Sequence, residues 1–89
     1  MSTHHSDELL RDLGRRIAEL RVEQRLTQEQ LAEELEVSPR YVQMVEAGEE
    51  NLTVRSLAKL SAALEVEVRD LFSKPKSRQA RVGRPPQNS

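Results

Sequence analysis

The sequence between residues 27 and 48 is TQEQLAEELEVSPRYVQMVEAG, and it decides the fold because it contains two helix starts in quick succession. Thr27 followed three residues later by Gln30 is a capping-box pattern, in which each side chain binds the backbone N–H of the other residue. Ser38 followed by Pro39 is the second start, because serine caps well and proline fits the first helical position.

The stretch predicts two short helices, one from about Gln28 to Leu35 and one from Pro39 to about Ala47. Gly48 ends the second helix, since glycine adopts the left-handed conformation that is common after a helix. Two short helices joined by a tight turn form the helix-turn-helix plan, whose second helix enters the major groove of DNA. This pattern favours a DNA-binding protein.

The segments on either side also predict helices. Apolar residues recur at helical spacing from Asp7 to near Gln24 or Arg25. Thr53 is the expected cap of a fourth helix, and a short fifth segment runs from Val68 to Phe72, with no strand anywhere. The buried stripe of the fourth helix is predicted to contain Val54, Leu57, Ala58, Ser61 and Leu64.

The composition agrees with one small all-α domain. The chain has 89 residues, of which 36% are hydrophobic and 2% aromatic, so its core must come from aliphatic side chains. It has no cysteine, which excludes disulfides and a cysteine-based zinc site and fits a reducing cytoplasm. No apolar run approaches the roughly 20 residues of a membrane span, and no signal peptide is recognised. We expect a cytoplasmic protein that is not an enzyme, with no membrane, metal or cofactor bound.

The charges are distributed unevenly. Residues 1–73 carry a net charge of −6, whereas the residues after Ser73 include five basic and no acidic ones, namely Lys74, Lys76, Arg78, Arg81 and Arg84. We expect a flexible segment at 1–6, a folded domain at 7–73 and a disordered basic tail at 74–89, because the tail has little apolar surface to bury.

The tail has two readings. Deleting Ser73 to Ser89 is expected to leave stability almost unchanged and to weaken binding to all DNA sequences, because a solvated basic tail contacts phosphates without reading bases. Alternatively, residues 82–86 partly resemble the Gly-Arg-Pro core of the AT-hook, which binds the minor groove. Val82 replaces the first arginine of that motif, so the phosphate-binding tail is the favoured reading.

Several spaced motifs between Leu13 and Phe72 resemble the phage-repressor and Cro family, also called the XRE family. They are Leu20-Arg21, Leu26 to Ala32, Val37-Ser38, Tyr41-Val42, Val45 to Gly48, Thr53-Val54, Leu57 to Leu60, Leu64 and Leu71-Phe72. The resemblance implies a five-helix, lambda-repressor-like domain that binds double-stranded DNA and regulates transcription. Within the family, the segment from Asn51 to Leu57 is most similar to the controller proteins of restriction-modification systems.

The resemblance also implies a set of DNA contacts. Gln28 matches a glutamine that such repressors use to bind a phosphate and to brace the recognition helix. Tyr41 matches a residue that reaches the DNA backbone in similar controller proteins. Two further groups are implied: the groove face Ser38, Pro39, Arg40, Gln43 and Met44, and the start of the fourth helix with Asn51, Thr53 and Arg55.

Arg40 and Gln43 have the chemistry for reading bases, since arginine pairs with guanine and glutamine with adenine. Pro39 and Met44 offer only apolar contact, in the case of Met44 with a thymine methyl group. The alternative for Gln28, Arg40 and Arg55 is an exposed residue without a role. The alternative for Tyr41 is a core position with only its hydroxyl in water.

Two charged residues, Arg21 and Glu46, stand among apolar neighbours. In the family, the matching pair forms a partly buried ion pair between the first and third helices. Its role would be structural, and removing one partner of a buried pair typically costs about 3–5 kcal/mol. An acidic stripe of Glu29, Glu33 and Glu36 is either a solvated face or, as in similar repressors, a patch for RNA polymerase.

The end of the folded part has more large apolar residues than a monomer needs. We expect a two-fold homodimer that binds a palindromic site, with its interface at Leu64, Val68, Leu71 and Phe72. Two other functions stay open: the antitoxin of a toxin–antitoxin pair, which would bind a toxin as well as DNA, and a protein-interaction module that has lost DNA binding. The acidic body favours the module, whereas Gln28, Arg40 and Gln43 favour DNA binding.

Overall fold

The computed structural model describes residues 3–76, which form four α-helices and one 3₁₀ turn. The elements are α1 (Thr3–Glu23), α2 (Gln28–Leu35), α3 (Pro39–Ala47), α4 (Val54–Leu64) and the 3₁₀ turn (Val68–Phe72). No strand occurs among these residues, as predicted. The fifth element is a single 3₁₀ segment and not an α-helix, so the five-helix count is corrected to four helices and a turn.

α1 begins four residues earlier than the apolar pattern indicated. Its first residue is Thr3 and not Asp7, and it ends at Glu23. Propagating a helix adds one hydrogen bond for each residue fixed, so a helix can extend beyond the end of its apolar stripe. The predicted flexible segment 1–6 is therefore helical from Thr3 onward, and Met1 and Ser2 lie outside the described residues.

The predicted caps of α2, α3 and α4 are all present. The Gln30 backbone N–H donates to Thr27 Oγ1 at 3.0 Å, and the Thr27 N–H donates to Gln30 Oε1 at 2.8 Å, which completes the capping box. Ser38 Oγ accepts from the Tyr41 N–H at 3.1 Å, and Thr53 Oγ1 accepts from the Ser56 N–H at 3.0 Å. Each cap satisfies a backbone donor that the first helical turn leaves without a partner.

The core is aliphatic, as the composition required. The buried apolar side chains are Leu13, Ile17, Leu20, Leu31, Ala32, Leu35, Val42, Val45, Leu60, Leu64 and Leu71. The predicted stripe of α4 is wrong at two positions: Val54 is 81% exposed, and Ala58 is also exposed. Val54 is the first residue of α4, and its side chain is not covered by α2 or the 3₁₀ turn, the two elements that pack against this helix. Ala58 faces away from the row formed by Leu57, Leu60, Ser61 and Leu64.

The helices are arranged around α3. It packs against both α1 and α2, while α4 packs against α2, and the 3₁₀ turn packs against α1 and α4. Arg16 Nε of α1 donates to the Asp70 carbonyl at 3.1 Å, which fastens the 3₁₀ turn to the first helix. Within residues 3–76 no helix is both long and apolar enough to cross a bilayer.

The boundary between the folded domain and the basic tail lies later than predicted. Pro75 is fully buried, and it lines a cavity of about 180 Å³ with Leu9, Leu13 and Phe72. Deleting the chain from Ser73 would therefore remove a core residue, which corrects the expectation that this deletion leaves stability unchanged. The rest of the predicted tail, from residue 77, lies outside the described residues.

Candidate nucleic-acid interface

The end of α3 is held by a network centred on the Glu46 carboxylate. Arg21 Nε donates to Glu46 Oε2 at 2.6 Å, and Arg21 Nη2 donates to Oε1 at 3.2 Å. Gln28 Nε2 also donates to Oε1, at 2.9 Å, and Arg21 Nη1 donates to the Leu26 carbonyl at 2.8 Å. One carboxylate of α3 thus joins α1 and the first residue of α2, and Arg21 also bonds the turn between those two helices.

This network is shielded from water. The side chain of Glu46 is 8% exposed and that of Arg21 is 15% exposed. A bidentate arginine–carboxylate pair has strict geometry, so it fixes both the position and the rotation of α3 against α1. The structure thus joins Arg21 of α1 and Glu46 of α3 in an ion pair, and Gln28 donates to the same carboxylate.

The face of α3 that points away from the core residues Val42 and Val45 is polar and open to solvent. Ser38, Pro39, Arg40 and Gln43 are exposed, whereas Val42 and Val45 are buried in the core. Met44 is half-buried and lies outside the core cluster, consistent with Val42 and Val45 occupying the inner face. Arginine and glutamine at these exposed positions present a forked donor and an amide, the two groups that pair with guanine and adenine in the major groove.

Tyr41 has a different environment from its neighbours on α3. Its ring is half-buried and packs against the hydrophobic core. It also lines a cleft of about 90 Å³ together with Ser56 and Lys59 of α4. The start of α3 and the first turns of α4 therefore meet at Tyr41. Its ring is a packing element, and contact of its hydroxyl with a DNA phosphate stays a prediction.

The start of α4 presents the third group of predicted residues. Asn51, Thr53 and Arg55 are all exposed. The Thr53 hydroxyl caps the helix through Ser56, so its oxygen is already engaged, and the neighbouring backbone N–H groups are the donors available to an anion. Val54 is the exposed side chain here that the sequence analysis missed.

Two glycines set how closely α3 approaches α1. A Cβ atom on Gly14 would lie 2.5 Å from the Val45 carbonyl oxygen and 2.6 Å from that of Glu46. Gly48 ends α3 with φ of 77°, and its backbone lies directly against Arg11 of α1. Gly48 was recognised as a helix end, but Gly14 was missed. An isolated glycine inside a helical apolar pattern was the available signal, since such a residue often marks a close contact.

The four residues predicted for a dimer interface divide into two groups. Leu64 and Leu71 are fully buried inside the chain and have no surface left for a partner, which corrects their assignment. Val68 is 39% exposed and Phe72 is 48% exposed. Leu9, which the sequence analysis did not consider, is 49% exposed and lines the same cavity as Phe72.

Comparison with protein families supports the interpretation of this geometry. The HTH_3 helix-turn-helix model matches residues 17–71, which span the last third of α1, both helices of the motif, α4 and most of the 3₁₀ turn. The chain belongs to this XRE-type helix-turn-helix family. Its members are DNA-binding transcription regulators and not enzymes.

Solved structures of the same architecture include other regulators of this family. The restriction-modification controller protein C.AhdI from Aeromonas hydrophila is 40% identical with a TM-score of 0.68, over 71% of this chain and 96% of that one. The clp gene regulator ClgR from C. glutamicum is 29% identical with a TM-score of 0.71, over 81% of this chain and 94% of that one. A hypothetical transcription factor, NHTF, from Neisseria is 28% identical with a TM-score of 0.69, over 82% and 85%. No match was found among curated proteins.

Membership in the helix-turn-helix family identifies α3 as the second helix of the motif. In such a domain the second helix of the motif enters the major groove with its first turns toward the bases. These turns carry the exposed Arg40 and Gln43, while the last turn carries the anchored Glu46. Among residues 3–76, no group of three or more histidine, cysteine or carboxylate side chains is placed to hold a metal ion.

Proposed function

We propose that this chain is a sequence-specific transcriptional regulator that reads bases with α3 and binds phosphates at the starts of α2 and α4. One observation carries the proposal: α3 is anchored at Glu46 in its last turn and exposes Arg40 and Gln43 on the face away from the buried Val42 and Val45. Reading bases requires side chains that are free to form hydrogen bonds. It also requires a helix that is held in a fixed position by contacts with the rest of the domain.

Gln28 serves the positioning of the protein on DNA. Its amide nitrogen has two hydrogens, and one of them is donated to Glu46 at 2.9 Å. The second hydrogen remains for a phosphate oxygen, next to the positive end of the α2 dipole. Gln28 therefore couples phosphate binding to the network that holds the recognition helix.

A gel-shift experiment tests the proposal. The DNA upstream of the chain's own gene is the first candidate for an operator. The full chain should shift a fragment of this DNA, and an excess of the same unlabelled fragment should compete better than unrelated DNA. Equal competition by both would contradict sequence-specific binding and would favour a protein-interaction module.

Arg40→Ala and Gln43→Ala are each expected to weaken binding to the preferred site by about 1–3 kcal/mol and to relax base preference at particular positions. Gln28→Ala should weaken binding to all sequences by a similar factor, because a phosphate carries no base identity. Site selection from a random DNA pool, followed by affinity measurements, separates these effects. Glu33→Ala, an exposed change on α2, is the control and should not reduce affinity. An unaltered selected site with Arg40→Ala would contradict the assignment of α3.

We also propose a two-fold homodimer on a palindromic operator, with Val68, Phe72 and Leu9 at its interface. These are large apolar side chains that the rest of the chain leaves 39%, 48% and 49% exposed. Clustered apolar exposure of this kind is typical of a protein interface. Two-fold symmetry would place the two recognition helices about 34 Å apart, which is one turn of DNA.

Phe72→Lys combined with Val68→Lys is expected to convert the dimer to a monomer, because four added positive charges, two from each protomer, would then meet at the symmetry axis. Sedimentation equilibrium at tens of micromolar measures the change. Val22→Lys is the matched control, since Val22 is 62% exposed on α1 and lies outside this surface. The proposal is wrong if the unchanged chain sediments as a monomer, with or without DNA.

A further inference from the structure

The outer face of α1 has a groove that the proposed DNA and dimer surfaces do not use. It has a volume of about 490 Å³, and Ala18 and Val22 form its apolar floor. Glu19, Glu23 and Glu46 supply carboxylates along it, and Arg15 lies at its near end. Val22 is 62% exposed, so this part of the floor is not covered by any element within residues 3–76.

The path of the chain after the 3₁₀ turn leads into this groove. Ser73 to Pro75 line a cavity together with Leu9 and Asp12, in the first half of α1. Lys76, the last described residue, already lines the groove beside Val22 and Glu23, further along the same helix. The backbone therefore follows α1 from its first half toward its second half, and the next residues leave Lys76 at the groove itself.

We propose that the segment 77–89 docks in this groove of its own chain, both in the free protein and on DNA. The segment has 13 residues with three arginines and no acidic residue, and it carries Ala80 and Val82 between them. The groove offers the complementary features, an apolar floor flanked by carboxylates. In the proposed docking, Arg78 and Arg81 supply the cations for Glu23, and Ala80 and Val82 supply the apolar side chains for Ala18 and Val22.

The segment is long enough for this role in any conformation. The distance along α1 from Arg15 to Glu23 is about 12 Å, at about 1.5 Å per helical residue. Thirteen residues span more than this even when helical, at about 20 Å. Glu19 already pairs with Arg16 at 3.5 Å, so the proposal rests on Glu23, which is exposed at the far end of the groove.

Docking and a phosphate-binding tail predict different salt dependences of DNA affinity. Arginines held on the protein neutralise no phosphates, so they do not contribute to the salt dependence of DNA affinity. The basic segment then offsets part of the charge of an acidic domain.

Paramagnetic broadening in the full-length chain tests the docking. The sequence has no cysteine, so Gly83→Cys provides a single site for a nitroxide label. We expect the amide signals of Ala18 to Glu23 to lose at least half of their intensity, while those of Arg55 to Lys59 on α4 keep theirs. Broadening should disappear with Glu23→Lys and remain with Glu33→Lys, an equal charge change at another exposed glutamate. Absence of broadening at Ala18 to Glu23, or equal broadening in both variants, would overturn the proposal.

A salt titration of DNA affinity separates docking from a DNA-binding tail. Arg78, Arg81 and Arg84 are replaced by glutamine in the full chain, and log affinity is measured against log salt concentration. Docking predicts an unchanged slope. A tail that contacts phosphates would lose about 0.9 in slope for each contact removed per protomer, and a loss of this size would overturn the proposal.

Discussion

Glu46→Ala is expected to lower the free energy of unfolding by about 3 kcal/mol, which for a domain of this size is a large part of its stability. The substitution leaves the guanidinium of Arg21, only 15% exposed, with the Leu26 carbonyl as its one remaining partner in the network. It also removes the acceptor of the Gln28 amide. We expect a value near the lower end of the usual range of about 3–5 kcal/mol, because Arg21 retains some contact with water.

Urea unfolding followed by circular dichroism measures this effect. The double variant Arg21→Ala, Glu46→Ala should be less destabilised than the sum of the single changes, because each single change leaves a charge without its partner. Arg69→Ala is a matched control, since Arg69 also pairs with a glutamate, Glu67, at 3.1 Å but is 84% exposed. That change should cost less than about 0.5 kcal/mol. Similar losses for Glu46→Ala and Arg69→Ala would contradict the structural role of the network.

DNA binding should respond to Glu46→Ala more strongly than the loss of folded protein explains. Glu46 bonds α3 to Arg21 and Gln28, so its removal is expected to disturb both the proposed base reading and the proposed phosphate binding. Glu46→Gln keeps an acceptor for Gln28 and is expected to retain more affinity. Both variants are best compared at a temperature where each is fully folded by circular dichroism.

Gly14→Ala is expected to destabilise the domain by about 2 kcal/mol, although alanine is the better helix former by about 1 kcal/mol. The added Cβ would lie 2.5 Å from the Val45 carbonyl oxygen. That atom belongs to the backbone of α3 and cannot move away as a side chain could, so α1 and α3 must separate. Overpacking of this kind typically costs about 1–3 kcal/mol, and here it also displaces the recognition helix.

Thermal and urea unfolding of Gly14→Ala, with DNA affinity measured in parallel, check this expectation. Ala18→Gly in the same helix is the control, because Ala18 lies on the outer face of α1 and not at its contact with α3. Its substitution therefore measures the effect of helix propensity alone. It should lose about 1 kcal/mol. A gain in stability for Gly14→Ala would show that α1 and α3 approach less closely than the structure indicates.

The local parts of the fold could be predicted from the sequence because their causes are local. Thr27 with Gln30, Ser38 with Pro39, and Thr53 each satisfy backbone donors within their own turn. Such bonds depend on residues three positions apart and hardly on the rest of the chain. The first residues of α2 and α3 follow directly from them, and the end of α3 follows from Gly48.

Predictions that depended on neighbouring elements were less accurate. Periodicity shows which residues share a face, but it does not show where the covering element ends. Val54 shares the face and is exposed, whereas Leu64 and Leu71 are buried by their own chain and not by a partner. Pro75 was assigned to a disordered tail on composition, and it is buried because the chain after the 3₁₀ turn returns to α1.

The sequence by itself determined the helices, their caps, the helix-turn-helix connection and the residues that bear the chemistry of base reading. Only the tertiary structure decided how these residues work together. Arg21 and Gln28 both donate to the Glu46 carboxylate, at 2.6 Å and 2.9 Å, although they lie 25 and 18 residues away in the sequence. Gly14 became significant only when the backbone of α3 was found against it. Contacts between distant segments arise from packing, which no local pattern encodes, and in this protein such packing fixes the helix proposed to read DNA.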